Sequence, residues 1–417
     1  MNNKKLIIIS LDSLSEEDLE YLKLQENLKS LLPQGTLVTK VTPPFVTNTY
    51  PIHTSVITGC YPEKHGIIDN LVHDPGNDKP EWHWYRKYIK TTTLYDQANL
   101  RGQKTLSILW PVTARANISY NMPEIFPTKL HQNQKVMSLL NGSFFMQLIG
   151  FLKYGGKLNG KRQPALDNFS VKMLTTTLEK KKPNLALIHL IETDSNKHKH
   201  GLKAKRTKES LKRMDSHIGT IMNTLNKIDR NYNIIIFSDH SSLPIEKTIN
   251  PNDYLKELKI KTPTKKGDKD WEAWFKTCGG TTFLYLKDKN NWALKDIIIE
   301  HFEILIKDKP EIFRRLLSQE EMKESGFLQK AAFGIEAPVG VEYHNDGNKF
   351  LANHGYTNQN EKYKVFYFIR GEGIRKNKKL EGGSLLDITQ LACRQLKIKP
   401  WHMDGKLRKD ITLGEIK

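Results

Sequence analysis

A chain of 417 residues with 38% hydrophobic and 27% charged residues can build one large α/β domain with an insertion, or two or three smaller domains, and is too apolar for global disorder. Its 65 Lys and Arg against 46 Asp and Glu leave a formal charge of +19, which favours polyanionic partners (nucleic acid, anionic membrane or phosphorylated small molecules) unless the scattered lysines merely coat a solvated surface. Three widely spaced cysteines, Cys60, Cys278 and Cys393, suggest neither a disulfide framework nor a Cys-rich zinc site and fit a reducing compartment.

In chain order, Lys4-Lys5 and the apolar run from Leu6 begin like a secretory leader, but the run stops at Ser10 and Asp12 and no small-residue cleavage site follows. No run approaches the roughly 18 apolar residues of a membrane span, so a soluble, cytoplasmic protein is expected. Short continuous apolar runs over 6–11, 105–109, 185–190, 233–237, 281–286 and 364–369 predict parallel strands buried on both faces. Helices are predicted over 16–32, 52–58, 168–182 and 205–228; in the last, Leu211, Met214, Ile218, Ile221, Met222 and Leu225 recur at helical spacing. Strands alternating with helices imply a doubly wound, mostly parallel α/β sheet with helices on both faces. Two stretches break the rhythm. Residues 129–162 show no clear strand. Residues 245–345, bearing Trp271, Trp274 and Trp292, read as a smaller inserted cap on a catalytic domain made of 1–244 and 346–417.

Function in open parallel sheets gathers at the carboxyl ends of strands. Asp12 follows the first strand, Asp194 and His198 follow 185–190, Asp239 and His240 follow 233–237, and His354 lies in a loop ahead of 364–369. Singly, Asp12 reads as a helix cap and His354 as a loop histidine. Jointly, three carboxylates and three imidazoles at one sheet edge suit two borderline divalent cations, zinc by default, with manganese or iron also tolerated. Two such ions clamp the attacking and leaving oxygens of an in-line displacement at phosphorus. Thr49, just ahead of the helix 52–58, sits where unpaired backbone N–H groups and a helix dipole favour a nucleophilic oxygen, although it would also serve as a plain cap.

Five ordered motifs, "SLDSL", "TNTYPIHTSVITGCYPEKHGIIDN", "ETDSNKHKHG", "SDH" and "NHGYTN", with the closing "LLDITQLACRQLKIKPWHMDG", resemble the nucleotide pyrophosphatase/phosphodiesterase branch of the alkaline phosphatase superfamily from about Leu6 to Gly405. The resemblance implies an alkaline-phosphatase-like fold. It implies one metal on Asp194, His198 and His354, and a second on Asp12, Asp239 and His240 that also meets Thr49. Asn70 and the Tyr50 backbone N–H would donate to the phosphoryl oxygens. The chain departs from the family pattern at Ser13 (usually Gly), Tyr50 (Phe), Ile52 (Asn), Thr193 (often Pro) and Ser241 (Gly), none of them a ligand. Trp82, Trp84 and Tyr85 are candidates to stack on a base or bound an alcohol pocket, the alternative being cap packing. The resulting expectation is hydrolysis of a phosphodiester or pyrophosphate in a small phosphorylated substrate, through a phosphothreonine on Thr49. A phosphomonoesterase or phosphonate hydrolase would use the same two-metal site. A basic nucleic-acid-binding protein with a dead site lacks a basic helix or aromatic-interleaved patch to support it, so no nucleic-acid partner is expected.

Overall fold

Every residue of β1 (Leu6–Leu11) is buried. Leu6 and Ile8 face one hydrophobic core while Ile7, Ile9 and Leu11 face another, so the unbroken apolar run is what a central strand between two layers requires. The computed structural model of the chain describes residues 4–77, 79–128, 132–327, 330–345, 347 and 350–414. The remaining strands of its first half are β2 (Thr36–Val41), β3 (Thr105–Ile108), β4 (Tyr120–Met122), β5 (Leu185–Leu190), β6 (Asn233–Ser238) and β7 (Leu243–Ile249). They are followed by β8 (Ala273–Thr277), β9 (Thr281–Leu286), β10 (Arg315–Leu317), β11 (Phe333–Glu336), β12 (Gly340–Tyr343), β13 (Ala352–Asn353), β14 (Val365–Arg370) and β15 (Lys378–Glu381).

Eight strands form the main sheet in the order β15-β2-β14-β6-β1-β5-β3-β4. β14 runs antiparallel to both neighbours, and every other pairing in the sheet is parallel. One face is covered by the helices Thr49–Thr58, Leu94–Leu100 and Asp387–Leu396, through residues such as Ile52, Tyr95 and Leu391. The other is covered by Glu16–Leu22, Ala165–Lys181 and Lys205–Ile228, through Leu19, Leu174 and Ile218. This is the mixed, mostly parallel α/β architecture expected. Among the described residues no helix is long and apolar enough to cross a membrane.

Four local expectations need correction. The strand at 364–369 is antiparallel, and 281–286 is β9, which lies outside the main sheet in a four-stranded antiparallel sheet ordered β10-β11-β9-β8. β9 misleads because its alternate residues enter two different cores, Leu284 and Leu286 one, Phe283 and Tyr285 the other; two-sided burial erases the alternation without implying parallel pairing. The span 16–32 is broken: Glu16–Leu22 opens on a Ser15/Asp18 capping box, ends at Lys23, and restarts as Glu26–Leu31 before Pro33. The helix expected at 52–58 begins at Thr49 itself, with Asn48 as its cap residue. Within 129–162 the described part holds the helices Gln134–Asn141 and Phe144–Tyr154, Lys129 lying outside the described residues.

Within 245–345, the four-stranded sheet packs with the helix Trp292–Asp308 around a core of its own. Its edges are not clean. β7 crosses the 244/245 boundary and pairs with β12 on one side and with β13 on the other; Asp346, where the second boundary was drawn, lies outside the described residues. The β8–β9 turn grips the loop before β14: Gly280 N–H donates to the His354 carbonyl at 2.9 Å, and Gly355 holds φ +83° against Cys278. A Cβ on Gly355 would meet the Cys278 carbonyl oxygen at 1.8 Å. Gly355→Ala should therefore cost at least about 1–3 kcal/mol, read as a lowered thermal midpoint.

Candidate active site

In the register of the central strands, Leu11 lies opposite Leu190 and Ser238. Asp12 and Asp239 are the first residues beyond the last pairs, so both emerge at the same edge. The helix Glu192–His200 starts directly after β5 and places Asp194 and His198 one turn apart on a common face. Its cap residue, Ile191, has no polar side chain to offer. Asp167, from the helix Ala165–Lys181, does the capping instead: it accepts Ile191 N–H at 3.0 Å and Glu192 N–H at 2.9 Å. His354 reaches the same edge because β14 is reversed, so the loop before it, not after it, lies at the carboxyl ends of β1, β5 and β6.

The six residues converge. Asp12, Asp239 and His240 present ligand atoms all within 4.8 Å of one another, as do Asp194, His240 and His354. His198 joins the second group through Nε2, 3.1 Å from Asp194 Oδ2. Each imidazole is turned by a carbonyl acceptor on Nδ1: Ala352 O for His198 at 2.8 Å, Asn48 Oδ1 for His354 at 2.8 Å, and Ser241 O for His240 at 3.2 Å. With the proton held on Nδ1, the Nε2 lone pair faces the centre. The carboxylates are divided in the same way. Asp239 Oδ1 accepts Ser13 N–H at 3.0 Å and His240 N–H at 2.9 Å, and Asp12 Oδ2 accepts from His189 Nε2 at 3.0 Å. Asp12 Oδ1, Asp194 Oδ1 and Asp239 Oδ2 are left buried with no hydrogen-bond partner. Three orphaned carboxylate oxygens facing three imidazole lone pairs are a donor set that fits divalent cations.

The electrostatics agree. Burial pushes the Asp12 carboxyl well above the ordinary carboxylate range, and Asp239 and Asp194 push it further. Burial raises Asp239 to about 6. It lowers His240 to about 4 and His354 well below the usual imidazole range. Burial opposes charge on Asp194 and His198 too, but their contact overrides it, holding the carboxyl low and the imidazole high. That contact needs a cation between its partners, a proton or a metal ion.

Thr49 Oγ1 lies 3.2 Å from His240 Nε2 on the floor of a cavity of about 490 Å³ that Asp12, Asp194, His198 and His354 also line. Asn70 lines it as well, and its Oδ1 accepts the Tyr50 N–H at 2.9 Å, which turns the Asn70 amide NH₂ away from that N–H. The Tyr50 N–H, expected to face substrate, is thus already paired. Trp82 lines the cavity, edge-on to Tyr50 at 5.2 Å and to Phe126 at 5.1 Å. Trp84 and Tyr85 lie outside the lining: Trp84 is buried against Phe126, and the Tyr85 ring sits beside Lys87 and Arg115.

Several residues at the site gave no sequence signal. Asn48 donates to Asp69 at 2.8 Å while orienting His354, and buried Lys276 of β8 pairs with Asp69. His189 lies between Asp12 and Glu124, whose Oε2 is 3.5 Å from Nδ1. Each partner comes from a distant segment, so no local spacing exposes it. Of the departures from the family pattern, Ser13 carries the left-handed φ of 64° that suits glycine, and Ile52 packs into the core.

Residues 6–328 match the model of the type I phosphodiesterase / nucleotide pyrophosphatase family. The chain belongs to that family. Human bis(5'-adenosyl)-triphosphatase ENPP4 is 24% identical over 96% of the chain and 80% of its own length. Human ectonucleotide pyrophosphatase/phosphodiesterase family member 1 is 27% identical over 54% of the chain, a match spanning only 22% of that relative. Murine ectonucleotide pyrophosphatase / phosphodiesterase 5 superposes with a TM-score of 0.70 at 19% identity, covering 98% of this chain and 100% of that one. Its inactive form in complex with AMP superposes at 0.69 and 20% identity, covering 97% of each. The phosphodiesterase fold is therefore shared throughout.

Asp167→Ala should remove the borrowed cap of the Asp194/His198 helix. The expected cost is about 1–2 kcal/mol of stability, read by thermal unfolding, with weaker zinc uptake read by titration. Asp167→Asn, which keeps an acceptor oxygen, should retain most of both.

Proposed function

We propose that this protein hydrolyses phosphodiester or pyrophosphate bonds by in-line attack of Thr49, with zinc held by Asp12, Asp239 and His240 and by Asp194, His198 and His354. The observation that carries this reading is the placement of Thr49 Oγ1 within 3.2 Å of His240 Nε2, beside a centre with three orphaned carboxylate oxygens. When bound, two such ions supply Lewis acidity that lowers the pKa of a coordinated hydroxyl or water and offsets charge on the phosphoryl oxygens.

Thr49 Oγ1 forms the new bond to phosphorus as the bond to the leaving oxygen breaks, producing a phosphothreonine and an alcohol or nucleotide. Water then attacks phosphorus from the opposite side, the P–Oγ1 bond breaks, and Thr49 regains its proton. The Asn70 amide NH₂ donates to a phosphoryl oxygen as charge builds. The cavity behind Thr49 is walled by Trp82, Phe126, Phe151 and Phe169, which favours a substrate with a large aromatic or apolar substituent. A diester suits this floor, since Asn70 offers a neutral donor rather than a guanidinium for a dianionic monoester. The relative named bis(5'-adenosyl)-triphosphatase and the AMP-bound neighbour support a nucleotide-sized substrate.

Thr49→Ala should lower turnover of a nitrophenyl phosphodiester by roughly 10³-fold or more while zinc content and thermal midpoint stay near wild type. A variant turning over at the wild-type rate would overturn the assignment. Asn70→Ala should cost about 10²–10³ in kcat. Chelation should abolish activity, and added zinc should restore it.

A further inference from the structure

The helices Gln134–Asn141 and Phe144–Tyr154 present two contrasting faces. Inward, Ser138 and Phe151 line the cavity, and Gln147 and Gly150 are buried. Outward stand Val136, Leu140, Phe144, Phe145, Ile149 and Leu152, with Leu140 66%, Phe145 75% and Leu152 78% exposed. Residues 145, 149 and 152 follow i, i+4, i+7 spacing, and 136 and 140 follow i, i+4, so each set lies on one stripe. Large aliphatic and aromatic side chains gathered in this way are an exposed patch rather than isolated surface residues. The charges of the segment that carries it have one sign. Between 132 and 166 the charged residues are Lys135, Lys153, Lys157, Lys161 and Arg162, with no Asp or Glu. All five are exposed; Lys135 and Lys161 also line the cavity, so Lys153, Lys157 and Arg162 are the cations free of it.

We propose that this face docks on an anionic lipid bilayer. Exposed Phe, Ile and Leu side chains enter the boundary between headgroups and acyl chains, while Lys153, Lys157 and Arg162 meet lipid phosphates. A second copy of the chain fits less well, because two such faces would bring their cations together. Since the same helices wall the cavity, docking sets the cavity beside the lipid; that consequence for substrate supply rests on the proposed hydrolysis, whereas the docking itself does not.

The full chain is sedimented with vesicles of phosphatidylcholine alone or mixed with phosphatidylglycerol. Binding to the mixed vesicles should exceed binding to the neutral ones by roughly tenfold or more and weaken with added salt. The double variant Phe145→Asp/Leu152→Asp should lose the binding, yet hydrolyse a soluble nitrophenyl diester like wild type and keep its thermal midpoint. Wild-type protein that stays in the supernatant with anionic vesicles at low salt overturns the proposal. So does light scattering that shows a dimer dispersed by the double variant without vesicle binding.

Discussion

The crowding of three carboxylates beneath the cavity floor is the constraint on which this structure turns. Asp12, Asp194 and Asp239 are buried at one sheet edge, and each leaves one oxygen without a hydrogen-bond partner. Burial leaves little water to screen them, so their mutual repulsion and lost hydration favour positive charge at this edge. Protons can do this only by neutralising the very groups that would bind metal. Divalent cations do it while leaving the carboxylates ionised, and the imidazole lone pairs of His198, His240 and His354 complete the donor set.

Much of the surrounding fold serves to aim these groups. Five of the six candidate ligands are tied at one atom and open at another: Asp239 by the backbone of Ser13 and His240, Asp12 by His189, and the three imidazoles by carbonyl oxygens on Nδ1. The inserted sheet takes part. Lys276 of β8 pairs with Asp69, Asp69 accepts from Asn48, and Asn48 accepts from His354, while the β8–β9 turn holds the His354 carbonyl. The second sheet is thus a brace for one candidate metal ligand, His354, as well as a cover. Lys276 and Asp69 are both buried, a pairing in which neither charge tolerates loss of the other.

Much of the site was readable in the chain. Asp12, Asp239 and His240 at the ends of apolar runs, and the i,i+4 pair Asp194 and His198, were legible as a set: Asp12 alone reads as a cap, but together they mark one sheet edge as a candidate donor set. Trp82 could be proposed for the cavity, but nothing local separated it from Trp84, two residues on and buried against Phe126. Asp167, Asn48, Lys276 and His189 were invisible for a simpler reason: each acts on a group far away in sequence, so its meaning exists only once the chain has folded.

The sequence alone determined the types and order of the candidate ligands, Thr49 as the nucleophile candidate, and the layered α/β core, since the apolar periodicity that marks a strand or helix is a local property. Tertiary structure decided which way β14 runs, that β9 belongs to a second sheet, how the Asn70 amide turns, and where helices 134–141 and 144–154 leave their apolar side uncovered. Those features depend on contacts between distant segments, where strand direction, amide orientation and exposure are settled by packing rather than by any single stretch of residues.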